Sequence, residues 1–298
     1  MPGPTDAVLE IVVVTYWSRA LVEGCLESLR RHPLTLGPTT VHLVDNASGD
    51  GTVEMVRESF PEVRVQALEA NFGFSFANNL VLRQASAPFV LLLNPDAEVC
   101  EGVLDHLVET MLSRPEVGMT GCRLVQADGS FDHAAKRSFP TPLAALAHFT
   151  GVGRAAGASG RLAQYRAPGV EEHGVGEVDA VNGAFMLCRC EAIEQVGLLD
   201  EGYWLYMEDL DWCYRFHQAG WKVLYDGRVT ALHLKGASSG VRRALRQDVA
   251  FHRGMGRFYR KFRAGRRPLG DVAVYAGIGA KLGTSIFAGA LARARGAG

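Results

Sequence analysis

Leu9-Glu10-Ile11-Val12-Val13-Val14-Thr15 is a short run dominated by β-branched residues. Such a run reads as a strand buried on both faces, as strands of parallel sheets are. Ser18 then offers an N-cap, and Leu21, Cys25 and Leu29 recur at helical spacing, which predicts a helix over 18–31. A second strand, Thr40-Val41-His42-Leu43-Val44, ends in Asp45-Asn46-Ala47-Ser48-Gly49-Asp50-Gly51-Thr52, a turn-rich loop that feeds a helix reaching about Phe60. Val63–Ala67 forms a third strand and leads to Asn71-Phe72-Gly73-Phe74 and a helix near 75–85. Phe89-Val90-Leu91-Leu92-Leu93 is a fourth strand, ending at Asn94-Pro95-Asp96. This β-α-β-α alternation predicts an α/β fold with a doubly wound, mostly parallel sheet. In such sheets a ligand sits beyond the carboxyl ends of the strands. The polar clusters at 15–18, 45–52 and 94–98 all fall on that edge.

The remainder is less regular. Residues 100–120 read as a helix and a strand, and 128–176, rich in Gly, Ala and Pro, as loops and short elements beside the site. Asp179–Leu187 is strand-like, Ala192–Val196 a short helix, and 208–219 a longer helix closed by Gly220. Trp221–Tyr225 and Val229–His233 read as two more strands, and 241–263 as a basic helix.

Hydrophobic residues make up 48% of the 298 and charged residues 21%, which favours a packed core over disorder. The net charge of −1 conceals a segment, 242–268, with ten Lys or Arg against the single acid Asp248. The six cysteines include no C-x-x-C pair, so a zinc knuckle is not expected and free thiols in a reducing cytosol are. Acids at Asp6 and Glu10 and the immediate first strand argue against a signal peptide. Val272–Leu291 is apolar but rich in Gly and Ala and interrupted by Lys281, a poor spanning helix.

Four groups of residues can carry chemistry. Asp45, at the tip of a buried strand, can meet the edge of a pyrimidine base, or it can simply hold a turn. Asp96 follows the most apolar strand, where an acid is costly unless paired or bound to a cation. It can hold Mg²⁺ or Mn²⁺, which favour oxygen ligands, or cap the next helix. His233 ends a strand and opens a Gly/Ser segment whose N–H groups can wrap phosphates, and its imidazole can ligate the same ion. Glu208, Asp209 and Asp211 crowd three carboxylates into four residues at the start of a helix, where the dipole favours them. Glu208 and Asp211 share a face with Arg215, so either can pair with it, while Asp209 points about 100° away. It is then available to take a proton from a hydroxyl.

Val12–Tyr16, Val44–Thr52, Asn71-Phe72-Gly73-Phe74 with Asn78-Asn79, Leu92–Asp96, Val181-Asn182-Gly183-Ala184, Glu208–Asp211 and His233 occur in one order over roughly residues 9–262. Together they resemble the inverting family 2 glycosyltransferases of GT-A fold, in particular the rhamnosyltransferase-like branch. The resemblance implies a GT-A catalytic domain over 1–240, with a nucleotide-sugar half at about 1–100 and an acceptor half at about 101–240. A basic, amphipathic helical extension would occupy 241–298. It implies that Thr15, Tyr16, Asp45, Asn71, Asn79, Asn94 and Asp96 contact the nucleotide sugar and that Asp96 and His233 hold the metal. Asn182, Gly183, Trp204, Glu208 and Asp211 would shape the acceptor and sugar pocket, with Asp209 the catalytic base. Asn94 replaces the first Asp of the family's D-x-D, and Trp17 stands where the family usually has Asn.

The expected reaction is metal-assisted inverting transfer from a nucleoside-diphosphate sugar, dTDP-rhamnose or a UDP-sugar, to a glycan, lipid-linked or small-molecule acceptor. The enzyme is expected in the cytoplasm, with residues 242–267 touching anionic lipid on the inner face of the membrane; Phe251, Phe258, Tyr259 and Phe262 among the cations suit an interfacial helix. No nucleic-acid motif accompanies the charge, so nucleic acid is not an expected partner. The competing readings are a catalytically silent nucleotide-sugar-binding module and a nucleotidyltransferase of related fold. The latter would want a Gly-rich basic loop after the first strand, where Tyr16-Trp17-Ser18-Arg19 stands. No G-x-G-x-x-G follows that strand, which argues against a dehydrogenase.

Overall fold

The computed structural model describes residues 7–139, 167, 169–234, 241–265 and 268–296. Its first half follows the alternation. β1 (Leu9–Thr15), α1 (Arg19–Arg31), β2 (Thr39–Asp45), α2 (Thr52–Ser59), β3 (Arg64–Ala67), α3 (Phe74–Leu82) and β4 (Phe89–Leu93) come in turn, and every residue of β1 and β4 is buried. Burial on both faces explains why these strands lack alternation. Glu10 is the one charged residue inside β1. Its carboxylate accepts the N–H groups of Ser86 and Ala87 and faces His42 Nε2 at 3.0 Å. Burial opposes its charge, yet these bonds together hold it below the usual carboxylate range.

β5 (Ala97–Val99), α4 (Val103–Ser113), β6 (Val117–Val125), β7 (Lys136–Arg137), β8 (Val175–Glu177), β9 (Ala180–Val181), β10 (Phe185–Arg189), α5 (Cys190–Val196) and α6 (Glu208–Gln218) follow. The chain continues through β11 (Lys222–His233), α7 (Val241–Phe262) and α8 (Pro268–Gly296). The main sheet runs β3-β2-β1-β4-β10-β6-β11-β5, with β8 beside β11. β1 to β4 pair in parallel, as expected. Beyond them the sheet is mixed: β10 is antiparallel to both β4 and β6, β11 is parallel to β6, and β11 is antiparallel to β5 and β8. The two strands expected at 221–225 and 229–233 are one, β11, whose register on β6 shifts between Asp226 and Thr230. Such a shift bends a strand without ending it. Gly220, at φ 87°, stops α6 in the left-handed conformation that glycine adopts without cost.

α7 lies against the loop before α6 and against α6 itself. Phe258 and Phe262 pack on Tyr214, while Tyr259 meets Tyr275 of α8. These aromatics, expected to face lipid, are therefore turned into the protein, and of that set Phe251 stands most exposed at 39%. Among the described residues no helix is long and apolar enough to cross a membrane.

Candidate functional site

The carboxyl ends of the parallel strands open into a pocket of about 420 Å³. Thr15 and Tyr16 reach it from β1, Asn46 from β2, Asn71 from the loop after β3, and Asn94 and Asp96 from beyond β4. The loop Trp204-Leu205-Tyr206 closes another side, and α7 adds Arg246 and Gln247. Of the residues expected to contact a nucleotide sugar, Thr15, Tyr16, Asn71, Asn94 and Asp96 thus come together, joined by Trp204.

Asp45 stands behind this lining. It is buried, and it accepts the backbone N–H of Ser48 at 2.9 Å as well as the Ser48 hydroxyl. Ser48 Oγ in turn accepts the N–H of Trp17 at 2.9 Å, so the ends of β1 and β2 are laced together. Trp17 sits at φ 54°, a left-handed conformation in which Asn is several-fold enriched. Asn79 also lies off the lining. Its amide donates to the Leu199 carbonyl and to Glu201 and accepts the Leu199 N–H, which fixes the 199–201 loop to α3. These bonds occupy both ends of the amide.

Gly73 admits the Trp204 loop. The Phe74 N–H donates to the Trp204 carbonyl at 2.8 Å, and a Cβ on Gly73 would lie 2.4 Å from that oxygen. With φ at 95°, the position demands glycine on conformation and on space alike. The Trp204 indole N–H donates to the Asn71 carbonyl at 3.3 Å.

Asp96 and His233 face each other across the β5–β11 pairing, with His233 Nε2 3.5 Å from Asp96 Oδ1. Behind them Asp132 bonds His233 Nδ1 at 2.9 Å. Burial disfavours charge on this imidazole, but the two carboxylates outweigh it and raise its pKa to about 9. Asp132 orients the ring so that Nε2 is aimed at Asp96, the arrangement by which a carboxylate presents a histidine to a metal. Among the described residues no group of three or more His, Cys, Asp or Glu is placed to hold an ion. Two protein ligands suit an Mg²⁺ or Mn²⁺ that draws its other oxygens from phosphate and water.

The carboxylates of α6 separate into three situations. Asp209 forms an ion pair with Arg137 of β7 and accepts the Gly183 N–H at 3.3 Å. Arg137 also donates to the Val181 carbonyl at 2.7 Å. Asp211 has a fully buried side chain and takes bonds from Arg215 Nε at 2.7 Å, Lys261 Nζ at 2.7 Å and the Tyr203 hydroxyl at 3.1 Å. It was expected beside the acceptor, yet three donors and complete burial leave it no face for a substrate. Glu208 is buried and its Oε2 has no hydrogen-bond partner. Burial first, and then the charge of Asp209, push its pKa up to about 8. Immediately before α6, Tyr206 and Met207 are both left-handed, at φ 68° and 73°. Non-glycine residues hold that conformation only when their surroundings enforce it, and such strain gathers at functional loops.

Arg137, Asp132 and Arg246 were not singled out from the sequence. Arg137 and Asp132 fall in the stretch of weak pattern, and their partners lie 72 and 101 positions away. Only the fold brings them together.

The sequence model of glycosyl transferase family 2 matches residues 10–174. An N-acetylglucosaminyl-diphospho-decaprenol L-rhamnosyltransferase of Mycobacterium tuberculosis is 32% identical over 246 residues, 78% of each chain. The rhamnosyltransferase WbbL of Escherichia coli K12 is 26% identical over 170 residues, 54% of this chain and 61% of that one. In fold, the chain is similar to the mannosyltransferase PcManGT of Pyrobaculum calidifontis, solved with GDP-Man and Mn²⁺. The TM-score is 0.59 at 19% identity, over 97% of this chain and 79% of that one. A structure of Staphylococcus aureus TarS aligns with a TM-score of 0.55 at 14% identity, over 86% of this chain and 73% of that one. The architecture is therefore the GT-A fold, and the chain is a glycosyltransferase belonging to glycosyl transferase family 2, with its similarity on the rhamnosyltransferase side.

Proposed function

We propose that this enzyme moves a sugar, with inversion, from a nucleoside diphosphate to an acceptor hydroxyl, and that Asp209 is the general base. The observation that carries the reading is the setting of Asp209: a carboxylate at the start of α6, two residues beyond a strained turn whose other side lines the pocket, clamped by Arg137 and the Gly183 N–H. Those bonds hold the carboxylate in one orientation, which is what a base acting on an acceptor hydroxyl requires. The nucleotide would lie over Thr15, Tyr16 and Asn71, with Asn94 and Asp96 toward the phosphates. Asp96 and His233 would hold Mg²⁺ or Mn²⁺, which when bound neutralises charge on a departing diphosphate. PcManGT was solved with Mn²⁺, which supports a divalent ion in this site.

The M. tuberculosis relative, an N-acetylglucosaminyl-diphospho-decaprenol L-rhamnosyltransferase, favours rhamnose as the sugar and a diphosphate-linked lipid as the acceptor, and the family resemblance favours dTDP as the carrier. A lipid acceptor agrees with a peripheral membrane contact. α8 leaves Leu269, Val272 and Phe287 at least 66% exposed, and α7 leaves Arg253 and Arg260 exposed. Domain limits of 1–240 for catalysis and 241–298 for the extension belong to the same proposal.

The test is single-turnover transfer from dTDP-rhamnose to a polyprenyl-diphosphate N-acetylglucosamine. Asp209→Asn should lower the rate about 10²–10⁴-fold while leaving nucleotide affinity near the wild-type value. Near-normal turnover by that variant would remove Asp209 from the role.

A further inference from the structure

The loop Trp204-Leu205-Tyr206 and the strained turn after it are met along their length by α7. Phe251 stacks edge-on to Tyr206. Gly254 comes so close to the turn that a Cβ there would lie 2.9 Å from the Tyr206 carbonyl and 3.0 Å from Met207 Cγ. Arg257 and Lys261 are bound to Asp200, and Lys261 also to Asp211. About two turns before Gly254, the Arg246 guanidinium sits over the Trp204 ring, its Cζ 4.3 Å from the ring centroid. Arg246 differs from Arg257 and Lys261 of the same helix. Among the described residues it has no carboxylate at ion-pairing distance, and it lines the pocket, where it is the one cation of the lining.

A guanidinium seated over an aromatic ring still has N–H groups to offer a ligand, and the group suits phosphate in particular. The Trp204 ring beneath it is itself fixed by its bond to the Asn71 carbonyl and by the docking of its backbone on Gly73. The cation is thus held in place, in a pocket whose lining otherwise carries amides, hydroxyls, aromatics and the carboxylate Asp96.

We infer that Arg246 is the diphosphate-binding group of the pocket, lent to the catalytic domain by α7. The inference rests on the nucleotide-sugar reading above. It names a ligand chemistry that has two sources, the donor's diphosphate or that of a lipid-linked acceptor.

Isothermal titration with dTDP, UDP, thymidine and uridine, on wild type, Arg246→Gln and Arg246→Lys, tests the donor source. Steady-state KM for a polyprenyl-diphosphate sugar tests the acceptor source. If the donor's diphosphate is the ligand, Arg246→Gln loses about ten- to a hundredfold in nucleoside diphosphate affinity and none in nucleoside affinity, and Arg246→Lys recovers part of the loss. If the acceptor's diphosphate is the ligand, nucleotide affinity holds and the acceptor KM rises by a similar factor. Arg246 is exposed, so the melting temperature of the variants should match wild type. Unchanged dTDP and UDP affinity together with unchanged acceptor KM in Arg246→Gln overturns the inference and leaves the parent reading standing. A wild-type protein that binds neither nucleoside diphosphate overturns the parent reading and this inference with it.

Discussion

A carboxyl oxygen that finds no donor inside a protein does best by keeping a proton, and Glu208 is in that position. Its neighbour Asp209 has Arg137 and a backbone N–H, while Asp211 has three donors. One buried group with a raised pKa makes stability depend on pH with a definite sign. The native state holds the Glu208 proton up to about pH 8, whereas the unfolded chain gives it up near 4.5. The stabilisation from the proton is therefore complete below pH 4.5 and is lost as the pH rises through about 8. Glu208→Gln carries no titrating group. Urea midpoints measured from pH 4.5 to 9 should show wild type losing stability relative to the variant as the pH climbs. Parallel curves for the two proteins would mean that Glu208 is ionised throughout. Trp17 is instructive at the same scale. Its left-handed backbone is a conformation that Asn adopts far more readily than a bulky aromatic, so Trp17 is a residue placed against its own preference.

At the scale of elements, α6 and α7 are joined through one buried charge. Asp211 is bonded by Arg215 of its own helix, by Lys261 of α7 and by Tyr203 of the preceding loop. Removing the acid leaves two cations facing a vacated buried site. Asp211→Ala should cost about 3–5 kcal/mol, read as a drop in the urea midpoint. A loss below about 1 kcal/mol would show that the cluster is not a structural joint. The same elements show why some of the fold could be read from sequence. β1 and β4 are buried on both faces, so composition alone marks them, and the helices between carry their own periodicity. β5, β8 and β9 have three, three and two residues, too few to hold a pattern, and each exists because a neighbour supplies its hydrogen bonds. Asp45, Asp96 and Asp209 stood out as acids at strand or helix ends. Arg137, Asp132 and Arg246 could not, because a cation or an acid gains its meaning from a partner that only tertiary structure delivers.

Across the whole molecule, charge is divided unevenly. Ten cations against one acid in 242–268 leave the rest of the chain net negative. An anionic surface would attract the first region and repel the second, so the proposed membrane contact has an orientation built into it, with each cation near the surface worth about 1 kcal/mol. The protein should co-sediment with phosphatidylglycerol vesicles at low salt and be released by 0.5 M NaCl at about one Debye length of a few ångström. Phosphatidylcholine vesicles should retain far less. Equal retention on both lipids at all salt concentrations would show that charge does not direct the contact.

One backbone bond has a consequence for how the site comes apart. Leu234 donates its N–H to the Asp96 carbonyl at 2.7 Å, and His233 stands opposite Ala97 in the antiparallel register. Asp96 thus lies opposite Leu234 and His233 opposite Ala97, so the two candidate metal ligands sit at adjacent positions of one strand pairing, and their spacing is a property of that pairing as much as of side-chain rotamers. Deuterium enters the Leu234 amide when its bond to Asp96 opens, and an opening of this end of the β5–β11 pairing separates Asp96 from His233. The exchange clock of one main-chain amide thus counts how often the site is dismantled.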